Sequence, residues 1–192
     1  MISKFKPTFS NSIPKDFFLQ KTEVVARLLL GKVLVKKEGN SFLAAMISET
    51  EAYLSENDYA SHSAVGQTKR NSAMFLEGGI LYVYKIYGVH HCINFVTEEN
   101  GIGAAVLIRS AIPILGINEM KINRKTEKLE NLCKGPGNLA KAYGFTLQDN
   151  FSSLQYEELF LQDFISFNDE NIKITKRIGI TKSSDLELRF LV

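Results

Sequence analysis

The chain has 192 residues, 45% hydrophobic and 23% charged, enough for one globular domain with a real apolar core and unlike a collagen, a disordered chain or a coiled coil. Lys plus Arg number 23 against 21 Asp plus Glu, a net charge of +2 that lacks the excess of a uniformly basic nucleic-acid binder. Cys92 and Cys133 stand far apart and form no CxxC unit, and no stretch nears the ~18 apolar residues of a membrane span or resembles a secretory signal, so the expectation is a cytoplasmic chain with no disulfide framework and no membrane partner.

Residues 1–15 read as a loosely ordered lead-in and 16–192 as the domain. Lys21–Leu30 reads as a helix with Val24, Val25, Leu28 and Leu29 on one stripe, and Gly31 stops it. Lys32–Lys37 and Phe42–Tyr53 read as strands joined by the turn Glu38-Gly39-Asn40, hence a hairpin. Leu54–Gly79 is long and polar, as in a functional loop or one that holds short helices. Gly79–Ile86 is a β-branched and aromatic strand, interrupted at Tyr87-Gly88 and resumed at Val89–Val96. After a turn region at Glu98–Gly103, Ala104–Ala111 is the third strand of that meander. Ile114–Arg124 reads as a helix and Lys125–Lys134 as a polar connection. Gly135-Pro136-Gly137 reads as a tight turn before a short helix at Asn138–Tyr143. The stretch to Glu170 shows no legible pattern. Ile172–Ile174, Arg177–Ile180 and Leu186–Val192 read as closing strands. The expected fold class is α+β: a single domain with a mostly antiparallel curved sheet, packed helices and a protruding β-hairpin.

Alternation along Phe42–Tyr53 puts Glu49, Glu51 and Tyr53 on one face, with Leu43, Ala45 and Ile47 earlier on the same face. Carboxylates that continue an apolar stripe mark either a strand emerging into water or a functional site, because a buried charge costs several kcal/mol unless it is paired. His90-His91-Cys92 suggests a metal cluster at first sight. On a strand, however, His91 points away from the other two, and no second ligand pair follows at zinc-like spacing, so no metal site is expected. No GxSxG elbow, P-loop or GxGxxG frames a nucleophile or a phosphate. Tyr82 and Tyr84 share a strand face, where Tyr82 reads as core. Tyr87, at the hairpin tip with Gly88, stands out from the fold and suits insertion into something flat, such as a base stack. His62 lies in the polar loop, where a lone histidine is ordinarily just exposed.

Several segments, taken in order, carry a family likeness: Glu49-Thr50-Glu51-Ala52-Tyr53, Ala60-Ser61-His62-Ser63, Gln67–Asn71, Met74-Phe75, the hairpin Gly79–Gly88, Cys92-Ile93-Asn94, Ala105–Arg109, Gly135-Pro136 and Leu188-Arg189-Phe190. Together they resemble the alkyladenine (3-methyladenine, methylpurine) DNA glycosylases from about Asp16 to Val192. The resemblance implies a monofunctional enzyme of base excision repair that flips alkylated or deaminated purines out of duplex DNA and hydrolyses the N-glycosidic bond without a cofactor. It implies Glu51 as general base and Arg109 near the attacking water and lesion backbone. Tyr53, His62 and Tyr84, with the main chain around Ala60 and His62, would form the base pocket. Asn94 would help to exclude guanine, and Tyr87 would fill the vacated stack. The implied partner is double-stranded DNA containing damaged purines, bound by a monomer.

The chemistry agrees with these roles. An N-alkylated purine carries positive charge and leaves readily, aromatic faces favour that cation, and a carboxylate stabilises the oxocarbenium-like sugar and takes a proton from water. Flipping costs least at a damaged, weakly paired base. The net +2 then reads as basic segments at 1–40, 119–141 and 171–192 diluted by acids at 41–66 and 145–170, the latter facing away from DNA. Two other readings stay open on the residues: a non-catalytic lesion- or DNA-binding module with the same Tyr wedge, and a hydrolase of free nucleosides.

Overall fold

The computed structural model describes residues 5–192, so the first four residues of the expected lead-in lie outside the described residues. Helix α1 (Thr22–Leu28) forms where the apolar stripe predicts it. Gly31 follows at a φ of +85°, and a Cβ there would lie 2.3 Å from the Ile165 carbonyl oxygen, so only glycine fits this stop. Strands β1 (Val33–Glu38) and β2 (Ser41–Tyr53) make the expected hairpin. Strands β3 (Leu81–Ile86), β4 (His90–Val96) and β5 (Ala105–Leu115) make the expected meander. β5 does not close that meander alone. It runs antiparallel along the whole second half of β2 and joins the two units into one sheet.

The sheet order is β3-β4-β5-β2-β1-β7-β6, where β6 is Gln155–Tyr156 and β7 is Leu159–Gln162. Beyond the β1 pairing, β2 continues against β9 (Arg189–Leu191), which also pairs with β8 (Lys173–Thr175). Every pairing is antiparallel, so the α+β class and the curled, mostly antiparallel sheet are as the sequence indicates. No helix among the described residues is long and apolar enough to cross a membrane.

Three elements differ from the sequence reading. The helix expected from Ile114 is delayed because β5 runs to Leu115, and α2 (Ile117–Arg124) starts only after Gly116. Gly116 sits at a φ of +73° against Leu43, a left-handed step that breaks the apolar run Ile112–Ile117 between strand and helix. Arg177–Ile180 is not a strand: the Arg177 side chain is drawn into the interior and Gly179 turns at a φ of +79°. The acidic stretch, illegible in the sequence, contributes β7, whose four residues are all buried between β1 and β6. Helix α3 (Pro136–Ala142) begins at the Gly-Pro pair, and the long loop 54–79 holds two 3-10 turns, at His62–Val65 and Ser72–Phe75.

The alternation along β2 is broken as well. Ladder partners run Ile47 to Ala111, Glu49 to Ser110 and Thr50 to Ile108, so Ser48 is an extra residue in β2 and Arg109 an extra residue in β5 at the same level. Leu43, Ala45 and Ile47 face the main core beneath α1 and α3, and beyond the bulge Ala52 faces that core, while Thr50 donates to the Ala26 carbonyl of α1. Glu49, Glu51 and Tyr53 therefore lie on the opposite face from the apolar stripe, a correction to the alternation expected from sequence. On that opposite face, β1 and the first half of β2 pack Val33, Val35, Ala44 and Met46 on Phe160. At the other end of the same face, Tyr82, Val96 and Ala105 pack on Ala73 and Met74.

Phe18 is wholly buried, edge-on to Phe17 and Phe95, and its carbonyl accepts the Glu98 N–H at 2.8 Å. It holds the chain entry to β3. Phe18→Ala is expected to lower stability by about 3–5 kcal/mol, measured by urea unfolding followed by circular dichroism.

Candidate active site

The β3–β4 hairpin supplies one wall of a cavity of about 380 Å³. Register places Tyr82 opposite Asn94 and Tyr84 opposite Cys92, and all four line the cavity. The Asn94 amide donates to the Tyr82 carbonyl at 3.0 Å, which fixes its orientation while it stays buried. The facing wall comes from the long loop. Asn71 donates through Nδ2 to the carbonyls of His62 and Gly66, at 2.8 and 2.9 Å, and so folds this polar segment onto itself. His62 is thereby held with Nδ1 2.8 Å from the Tyr82 hydroxyl and its ring edge-on to Tyr84, centroids 4.6 Å apart. His62 thus joins the aromatic rings of the cavity instead of standing in solvent as an ordinary loop histidine would. Tyr82 serves both as core and as cavity lining, its phenol pushed up to about 12 by burial.

Glu51 sits immediately behind this cavity, with no exposure. Its Oε2 accepts the Tyr53 hydroxyl at 2.9 Å and lies 3.2 Å from Arg109 Nη1. Its Oε1 accepts the Ile178 N–H at 2.8 Å. Tyr53 and Arg109 both line the cavity, so the carboxylate is one side chain removed from it. Burial, then the neighbouring Glu51 charge and hydrogen bond, raise the Tyr53 phenol far above its ordinary value, so it stays a donor. Burial works against the Arg109 charge, but Glu51 and Glu49 outweigh it and raise the Arg109 pKa. Glu49 accepts from Arg109 Nε at 3.0 Å, Arg189 Nε at 2.6 Å and Ser110 Oγ at 3.0 Å. Burial would raise the Glu49 carboxyl, yet the bonds from Arg189 and Ser110 with the Arg109 charge hold it below the usual range.

At the rim, Tyr87 and Gly88 both adopt positive φ, +50° and +69°, and the Val89 N–H closes the turn on the Ile86 carbonyl. A left-handed tyrosine is costly, and it leaves this ring 86% exposed. Structure thus brings Tyr53, Ala60, His62, Tyr84, Tyr87, Asn94 and Arg109 around one cavity, with Glu51 behind them. The residue reading missed Arg70, whose guanidinium lies 6.0 Å from the Tyr84 ring, and the rim formed by Ile178, Gly179 and Ile180. It also missed the pair behind the wall, Asp58 and Arg177, joined at 2.6 and 2.7 Å with neither side chain exposed. These are scattered, ordinary residue types with no spacing signal.

Burial, aided by the Arg70 charge, lowers the His62 pKa below its ordinary 6.5. The imidazole is therefore neutral at pH 7 and adds no cation to the cavity. Because the unfolded chain binds this proton first, the stability contribution is complete above about 6.5 and is lost as the pH falls below it. An NMR titration is expected to give His62 a midpoint below the ordinary histidine value of 6.5.

The family model described as "Methylpurine-DNA glycosylase (MPG)" matches residues 16–192. The chain is 49% identical over 173 residues to a protein of Prosthecochloris aestuarii (strain DSM 271 / SK 413), covering 90% of this chain and 83% of that one. It is 45% identical over 175 residues to a protein of Francisella tularensis subsp. tularensis (strain SCHU S4 / Schu 4), covering 90% of each. A protein of Koribacter versatilis (strain Ellin345) is 42% identical over 185 residues, covering 94% of this chain and 89% of that one. All three carry the name "Putative 3-methyladenine DNA glycosylase". With a family match across nearly the whole domain and relatives of this identity over nine-tenths of its length, the chain belongs to the methylpurine-DNA glycosylase family.

Proposed function

We propose that the chain excises alkylated purines, 3-methyladenine among them, from double-stranded DNA by hydrolysis of the N-glycosidic bond. The observation that carries this reading is a fully buried carboxylate, Glu51, held by two residues that themselves line an aromatic cavity, Tyr53 and Arg109. The flipped base stacks among Tyr53, His62 and Tyr84, with its edge against the main chain of Ala60 and His62. An alkylated base is cationic, and the faces of these rings attract it by up to ~2 kcal/mol when water is excluded. A neutral His62 supports this, because a protonated one would repel the same base.

As the bond to the sugar lengthens, positive charge grows on the ribose ring. Glu51 stabilises that charge and takes the proton of the attacking water, while Arg109 orients the carboxylate and lies toward the lesion backbone. Asn94, its amide held by the Tyr82 carbonyl, is on this reading the pocket residue that helps to exclude guanine through its exocyclic amine. Tyr87 enters the duplex and restacks the neighbours of the flipped base, which offsets part of the unstacking cost of a few kcal/mol. A binding module that turned nothing over would gain nothing from burying a carboxylate beside the base cavity.

The test uses duplexes carrying 3-methyladenine, 7-methylguanine or hypoxanthine. Glu51→Gln is expected to lower single-turnover base release by ~10²–10⁴-fold while duplex binding persists. Unchanged release in Glu51→Gln, or no release from any lesion by the parent chain, rejects the reading. Tyr87→Ser is expected to weaken processing of duplex lesions by roughly 5- to 150-fold, the range of one lost aromatic–base stack. A hydrolase of free nucleosides would not respond to Tyr87→Ser.

A further inference from the structure

Arg177 and Asp58 form a buried ion pair that is not itself part of the cavity lining, yet reaches three pieces of the site. Arg177 Nη1 donates to Asp58 Oδ2 at 2.6 Å and to the Ala52 carbonyl at 2.9 Å, and Nη2 donates to Asp58 Oδ1 at 2.7 Å. Asp58 in turn accepts the N–H of Leu54 at 3.0 Å and of Ala60 at 3.1 Å, which fixes the loop that follows β2. The Arg177 guanidinium lies 4.6 Å from the centre of the Tyr53 ring, the donor to Glu51. The next residue along the chain, Ile178, gives its N–H to the other oxygen of Glu51.

Stability does not account for such a pair. Replacing a buried ion pair by apolar groups of similar volume is generally neutral or stabilising, because each charge must first leave water. Arg177 Nε is buried with no protein acceptor among the described residues. Together with the Tyr59 N–H bond to Ser183 Oγ at 2.9 Å, the pair ties residues 52–60 to residues 177–183, with Glu51 and Tyr53 at the join.

We infer that Arg177, through its pairing with Asp58, is a positioning residue for the excision step: it sets the Ile178 N–H and the Tyr53 ring that orient Glu51. This rests on the glycosylase reading proposed above. Arg177 acts through other residues and contacts neither the base nor the water. Orientation of a reacting carboxylate is sensitive to small shifts, since a misplacement of about 1 Å costs on the order of 100-fold in rate.

The test is the double variant Asp58→Leu with Arg177→Met, which removes both charges together and leaves neither unpaired. Thermal unfolding reports whether it is folded. Single-turnover release of 3-methyladenine is then measured as a function of enzyme concentration. The expected result is a release rate at saturation lowered roughly 10- to 100-fold, with the half-saturating concentration within about threefold of the parent. If the double variant does not fold, Arg177→Lys decides in the same way, because one ammonium cannot span both Asp58 oxygens and the Ala52 carbonyl. A folded variant with the parent's saturated rate overturns the inference, as does a loss confined to the half-saturating concentration. Failure of both variants to fold also overturns it, because the pair is then a folding requirement. The parent chain is assayed in parallel: no release by the parent rejects the glycosylase reading itself, whereas equal release by parent and variant rejects only the role of Arg177.

Discussion

The paired bulges at Ser48 and Arg109 are the constraint on which the site depends. Side chains on a strand alternate without exception, so a strand changes which residues face inward only by gaining or losing one residue. Had β2 run straight, Glu49, Glu51 and Tyr53 would have continued the line of Leu43, Ala45 and Ile47 into the apolar core. Two carboxylates without partners would have been buried there, at a cost the fold could not absorb. The extra Ser48 turns them to the other face, and the matching extra Arg109 supplies a cation at the same level. The edge of β2 changes partner at this point, from β1 to β9, which brings Arg189 alongside.

The electrostatic logic follows from that placement. Glu49 meets Arg109, Arg189 and a hydroxyl; Glu51 meets Arg109, a phenol and a backbone N–H; Asp58 meets Arg177 and two backbone N–H groups. Each of these carboxylates, Glu49 half-buried and the other two buried, thus combines a cation with neutral donors, the combination that makes an interior charge tolerable. Neutral aromatic groups then dominate the cavity beside them. On the proposed reading, the rings hold the damaged base in the ground state and the oriented carboxylate acts where charge develops later, on the sugar.

Much of this was legible in the sequence where a local pattern exists. The β1–β2 hairpin, the β3–β4–β5 meander and α1 were visible because turn residues and apolar periodicity coincide with the elements. The residues around the cavity were found chiefly through the resemblance, since Ala60, Asn94 and Arg109 have no pattern of their own. The failures have physical causes. β7 was hidden because its flanking acids mask four buried residues. Arg177 was read as a strand residue because a side chain folded inward to an aspartate 119 positions away leaves no mark on local spacing. The bulge was invisible because Ser48 is an ordinary strand residue whose extra status exists only relative to β5.

The order in which the chain is made gives the β9 pairing another meaning. A nascent chain that has reached Tyr156 already contains every aromatic ring of the cavity, the tip tyrosine and Glu51. It still lacks the Ile178 N–H, the Arg177 partner of Asp58 and the Arg189 partner of Glu49. Those arrive more than a hundred residues after the groups they meet, and contacts so distant in sequence form late. The carboxylate site is thereby completed only when the last segment of the chain, which also supplies Ile178, Gly179 and Ile180 to the cavity, has been made.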